Sequence, residues 1–240
     1  MICFLFWLVI PIGRAECSIW DFFKWSNETK VEQTIEEKKP VKELNQNSGD
    51  KQIQKKNEMI KDLENEDLII SPIKSLDNED KESAICLAMN IYNEARNSSE
   101  EDMIGVSLTV FSRLNSGKYV NSKADNTICN VIFANNQYSW TRHKIQLPKE
   151  RKAWIKSQSI AHLMISDNNV LHQSKSVKYK HYVLTSLFES STGKWFNKAH
   201  STKIIGAHTY LLFDKDNTDK QSTMAINLIS YIKGKLNRIG

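Results

Sequence analysis

Two helical apolar periods lie back to back in residues 83–114, and this pairing constrains the fold more than any other feature of the chain. Residues 83–95 carry Ala84, Ile85, Ala88, Ile91, Tyr92 and Ala95, spaced as one face of a helix. Ser98-Ser99-Glu100-Glu101 follows, and a Ser98–Glu101 capping box is expected to start a second helix. Residues 103–114 are mostly apolar, as in a buried helix. Asn115-Ser116-Gly117 ends that helix, since glycine tolerates the left-handed turn needed there. Residues 127–133 form a short apolar segment, 135–140 read as loop, and 150–166 predict a third helix with a basic start. Residues 177–184 and 204–213 alternate as strands do, and 224–236 read as an amphipathic helix. Helices come first and strands late, so the expected class is α+β with a small late sheet, not a doubly wound one.

Around this region the character of the chain changes. Residues 1–12 are apolar and too short to span a bilayer comfortably, which takes about 20 residues. Gly13-Arg14-Ala15 then sets small residues around a cut after Ala15. A secretory signal over 1–15 is expected, hence export to the periplasm, wall or medium. No Lys or Arg precedes the apolar core, so an uncleaved anchor, associating with a membrane through residues 1–13, is the alternative. Residues 16–80 are rich in Lys, Glu, Asn and Gln and read as a charged flexible tether, unable to bury enough apolar surface to offset ordering. Residues 22–82 hold 11 Lys/Arg against 15 Asp/Glu, whereas 83–240 hold 21 against 11, a net of +10. A folded module at 81–215, followed by a C-terminal helix at 216–240, therefore faces an anionic partner. DNA, RNA, anionic lipid and wall polymers all qualify on charge. With the signal removed, Cys17, Cys86 and Cys129 remain. Export favours disulfides; Cys86–Cys129 is the plausible bridge, and two small buried thiols are the alternative.

The chemistry centres on Glu94. It follows Leu87 by seven positions and Ile91 by three, so it shares their apolar stripe. A carboxyl among apolar side chains loses hydration, stays protonated to higher pH and can donate a proton to a glycosidic oxygen. Equally, a Glu at a helix end can pair with a base or reach water. Gln137, Tyr138, Ser139 and Trp140 place two aromatics and two hydrogen-bonding groups in a loop, as sugar recognition requires. His181 with Tyr182, Trp195, and His208 repeat that chemistry. HExxH is absent and no two histidines stand three or four apart on a helix, so no metal is expected. Neither a phosphate loop nor a nucleophile elbow is present.

These segments, taken in order, resemble the spore-cortex-lytic (SleB-like) family of cell-wall hydrolases. The resemblance is carried by Cys86-Leu87-Ala88-Met89-Asn90-Ile91-Tyr92-Asn93-Glu94-Ala95-Arg96, Ile104-Gly105-Val106-Ser107 through Ser112-Arg113, and Thr127-Ile128-Cys129-Asn130-Val131-Ile132. It continues in Gln137-Tyr138-Ser139-Trp140, His181-Tyr182, Trp195 and Ile205-Gly206-Ala207-His208. It implies a compact domain like lysozymes and lytic transglycosylases, acting on the MurNAc–GlcNAc backbone of peptidoglycan without cofactor. It also implies that Glu94 is the acid, protonating the leaving oxygen before the muramyl 6-hydroxyl closes a 1,6-anhydro ring. One carboxyl then serves as acid and base, unlike the two-carboxylate glycosidases. The family usually continues with Gly-Glu, where Asn97 and Ser98 stand here; Glu101 or Arg96 is the expected auxiliary. A non-catalytic peptidoglycan-binding protein that kept the groove is the alternative. Nucleic acid is not an expected partner, a monomer is expected, and the layout suits a phage endolysin or a bacterial wall-remodelling enzyme.

Overall fold

The computed structural model describes residues 42–120, 126–191, 194–213 and 218–239. The expected signal or anchor at 1–15, and the tether up to residue 41, lie outside them. The described chain runs α1 (Lys42–Asn65), α2 (Ser71–Lys74), α3 (Asn78–Ala95), α4 (Glu100–Ser116), α5 (Ile128–Ile132), α6 (Arg151–Ser166) and α7 (Asn168–Ser174). It continues with β1 (His181–Leu184), α8 (Thr185–Ser190), β2 (Ser201–Ile205), β3 (His208–Leu212) and α9 (Thr218–Ile239). Short 3-10 turns cover Ser139–Arg142 and Trp195–Lys198. The fold is α+β.

Helix α3 is the axis of the domain. Ala84, Ile85, Cys86, Leu87, Ala88, Met89, Asn90, Ile91 and Tyr92 are all buried, as in a helix enclosed on every side. It packs chiefly on α6, then on α4 and α5. It starts at Asn78, ahead of the expected 83, because the Asp77 side chain accepts from Asp80 N (2.9 Å) and caps it. The cap of α4 also differs from expectation. Ser99, not Ser98, accepts from the first turn, at Asp102 N (3.3 Å). Gly117 closes α4 in the left-handed conformation, φ 61°. The Cys86 and Cys129 sulfurs are bonded, tying α3 to α5 across 43 residues.

Of the expected strand at 177–184 only His181–Leu184 pairs; Val177 and Tyr179 are buried ahead of it. The expected strand at 204–213 is instead a hairpin, β2 and β3 joined at Gly206-Ala207. Gly206 takes φ +60°, a turn conformation that reverses the chain where alternation alone suggested continuity. The antiparallel sheet runs β1-β3-β2, with β3 buried throughout, Tyr182 opposite Tyr210 and Leu184 opposite His208.

The tether expectation needs correction over residues 42–80. Helices α1 and α2 belong to the folded unit Lys42–Gly240, with Met59, Leu63, Ile69 and Ile73 buried. Four apolar side chains at helical spacing, diluted among charges, suffice once α3 and α6 offer a surface. Polar groups lock the segment down: Trp154 Nε1 donates to the Leu68 carbonyl (2.7 Å), Gln158 Oε1 accepts from Ile70 N (2.9 Å), and Lys55 Nζ donates to the carbonyls of Thr141 and Arg142 (both 3.0 Å).

Candidate active site

Glu94 sits in the last turn of α3, where the enclosed helix emerges beside the sheet. It is partly buried, and the Tyr182 hydroxyl donates to its Oε2 at 2.8 Å. Burial raises the Glu94 pKa; the Tyr182 hydrogen bond and the charges of His208 and Arg113 oppose that without overcoming it. The Tyr182 phenol is in turn pushed well up, by burial and then by Glu94. So the apolar stripe gives Glu94 a partly buried setting that raises its pKa.

The two rings that pack on Tyr182, His208 and Tyr210, are held by a buried carboxylate that sequence reading missed. Asp102, on the first turn of α4, is fully buried. Its carboxylate meets His208 Nδ1 at 2.9 and 3.0 Å, accepts from Ala207 N at 3.2 Å and from the Tyr210 hydroxyl at 2.8 Å. Burial works to raise its pKa, but the hydrogen bonds from His208, Ser98 and Tyr210 outweigh it and hold the group ionised. The His208 ring lies 5.0 Å from Tyr182, edge to face, and Tyr210 lies 5.6 Å from it. Two glycines make this closeness feasible. A Cβ on Gly206 would come within 2.5 Å of Asp102 Cβ, and one on Gly105 within 2.5 Å of the Tyr210 hydroxyl.

The remaining expected residues divide. Tyr138 is buried, and its pKa, raised first by desolvation, also responds to Arg113 and Glu94, so it lies with them. Trp140 is half-buried and donates from Nε1 to Asn90 Oδ1 (3.1 Å) one turn ahead of Glu94; Gln137 is half-buried and Ser139 exposed. His181 and Trp195 gather elsewhere. His181 bonds Tyr119 at 3.0 Å and packs edge-on against Trp195 and Phe213 at 5.3 and 5.6 Å. Burial first, then Arg113 and Lys180, lowers its pKa to about 4, that of a packed neutral imidazole. It neighbours Tyr182 on a strand, where successive side chains take opposite faces. His208 likewise faces inward, onto Asp102.

Neither expected auxiliary meets Glu94. Glu101 pairs with Lys233 of α9, and Arg96 is exposed, bonding Glu150 at 3.1 Å and covering the Tyr92 ring. Among the described residues no three His, Cys, Asp or Glu converge as metal ligands. Asp102 was hidden in sequence because an acidic residue in a first turn reads as an ordinary helix-start signal.

Residues 97–211 match the family model described as Cell Wall Hydrolase. Over those residues the chain is similar to that family. The matched span holds Asp102, Arg113, Tyr138, Tyr182, His208 and Tyr210, and Glu94 stands three residues before it. No curated protein and no solved structure matches the chain.

Proposed function

We propose that this protein is a cell wall hydrolase of the lytic transglycosylase kind, acting on the MurNAc–GlcNAc backbone, with Glu94 as its single acid and base. One observation supports it above the rest: a carboxyl with a raised pKa, hydrogen-bonded by Tyr182 beside two further tyrosines and a histidine. A raised pKa favours the protonated form that a general acid needs. Glu94 passes its proton to the glycosidic oxygen as the bond to the anomeric carbon breaks, and the electron pair leaves with that oxygen. The muramyl 6-hydroxyl then bonds to the anomeric carbon and returns its proton to the Glu94 carboxylate. The product is a 1,6-anhydro sugar, and no water is consumed. Trp140, half-buried one turn ahead of the carboxyl, supplies a ring for stacking, and Tyr138 lies buried between Arg113 and the site. An exported monomer reaching polyanionic wall through its basic domain completes the reading.

The test is digestion of purified peptidoglycan by the chain and by Glu94→Gln, with products weighed by mass spectrometry. Anhydro-muropeptides are expected, with a rate about 10²–10⁴-fold lower for Glu94→Gln, the usual worth of a general acid. Reducing-end products would instead indicate hydrolysis by water. Binding without cleavage by the unaltered chain would favour a peptidoglycan-binding protein, the reading that Asn97 and Ser98 keep open.

A further inference from the structure

Arg113 is a buried cation with no anion of its own. It lies in the last turns of α4, 7% exposed. Its Nε donates to the Lys180 carbonyl at 2.8 Å, just ahead of β1, and its guanidinium covers the rings of Tyr119 and Tyr138 at 5.4 and 4.9 Å. These contacts fix its plane without answering its charge. Among the described residues no carboxylate lies within ion-pair distance of it, and its Nη1 makes no hydrogen bond. An unpaired buried charge is costly to a fold. Asn90 Nδ2 and the Tyr138 hydroxyl are buried in the same place, and Asn90 and Arg113 both direct donors toward that hydroxyl, contacts that leave the guanidinium's charge unanswered. Asn90 has its amide oriented by Trp140, which occupies Oδ1 and turns the donor side toward Tyr138. Each of the three can donate, and they surround the turn of α3 that carries Glu94. A pocket rich in donors around a carboxyl complements the ionised form of that carboxyl.

We propose that Arg113 is a positioning residue for Glu94: its guanidinium takes the carboxylate left when Glu94 gives up its proton and holds it until a proton returns. The proposal rests on Glu94 being the acid. With the proton in place, Glu94 needs only Tyr182, and Arg113 waits. Once the proton has moved to the leaving oxygen, the new negative charge and the unpaired guanidinium satisfy each other. The proton of the incoming hydroxyl then neutralises Glu94 and frees Arg113. The groups that face Glu94 are Tyr182 of β1, His208 and Tyr210 of β3, Tyr138 of the loop and Arg113 of α4, with Asp102 behind His208. Arg113 alone among them keeps a positive charge at every working pH.

Two measurements on the full chain test this. In the unaltered protein, NMR of labelled Glu carboxyl carbons and Arg guanidinium nitrogens follows both groups across pH. The Arg113 signal is expected to move with the midpoint of Glu94 and to stop doing so in Glu94→Gln. Arg113→Gln is expected to raise that Glu94 midpoint, and with it the alkaline limb of the activity profile, by about one pH unit or more. Its kcat falls while KM holds, and Arg113→Lys, which keeps the charge, leaves the midpoint near its original place. An Arg113 signal indifferent to Glu94 ionisation overturns the proposal, with no variant needing to fold. Full activity in Glu94→Gln would instead sink the functional reading, an outcome the NMR titration does not depend on.

Discussion

At the scale of single residues, the site holds carboxyls whose environments push them apart. Glu94 has its pKa raised by burial, and Asp102 is held ionised by His208, Ser98 and Tyr210. The folded pKa of Glu94 lies above its unfolded one, so the unfolded chain gives up that proton first and rising pH works against folding. Glu94→Gln is therefore expected to gain stability over the unaltered chain as pH climbs past the ordinary carboxylate range, and little below it, read from melting temperatures at pH 4 and pH 8. A melting difference that shrinks with pH would contradict the burial argument. Tyr182→Phe removes the hydroxyl that favours the ionised form of Glu94. Its alkaline limb should move up, and kcat should drop about 10- to 100-fold, the worth of a hydrogen bond to a charged group. Glu94 was legible in the sequence because its helical phase is a local property. Asp102 was not, since its partners His208 and Tyr210 stand more than a hundred positions away.

Elements bring those residues together through a turn and a bridge. The β2–β3 hairpin closes at Gly206, whose φ of +60° and contact with Asp102 leave no room for a side chain. Gly206→Ala should cost about 1–3 kcal/mol, the strain of such a backbone, and lower activity by displacing His208 and Asp102 together. Chemical denaturation paired with digestion rates checks both; an alanine variant as stable and as active as the parent would refute the packing account. Helices α3 and α5 are joined by Cys86–Cys129. Replacing both cysteines by alanine should remove about 4 kcal/mol for a loop of this length. Periodicity placed both cysteines in the patterned region, but only the packing of α5 on α3 made them neighbours. The same limit produced the hairpin error: alternation runs straight through Gly206-Ala207, and nothing local marks the reversal except one glycine.

For the whole molecule, the folded unit is larger than its motif-bearing part. A chain starting at Lys81 would lose the burial of Met59, Leu63, Ile69 and Ile73, each worth about 1.5–3 kcal/mol when fully enclosed. It should melt well below the chain starting at Lys42, and equal melting temperatures would restore the tether reading for residues 42–80. What the sequence determined by itself was the local and the periodic: the α3–α4 helix pair, the late sheet, the apolar setting of Glu94, and the ordered motifs that resemble those of cell wall hydrolases. Tertiary structure alone decided that His208 and His181 turn inward, that Glu101 goes to Lys233, and that Asp102 and Arg113 flank the site. The reason is physical. Helical phase and turn chemistry act over a few residues, whereas a buried charge takes its meaning from partners that only the folded chain brings within reach.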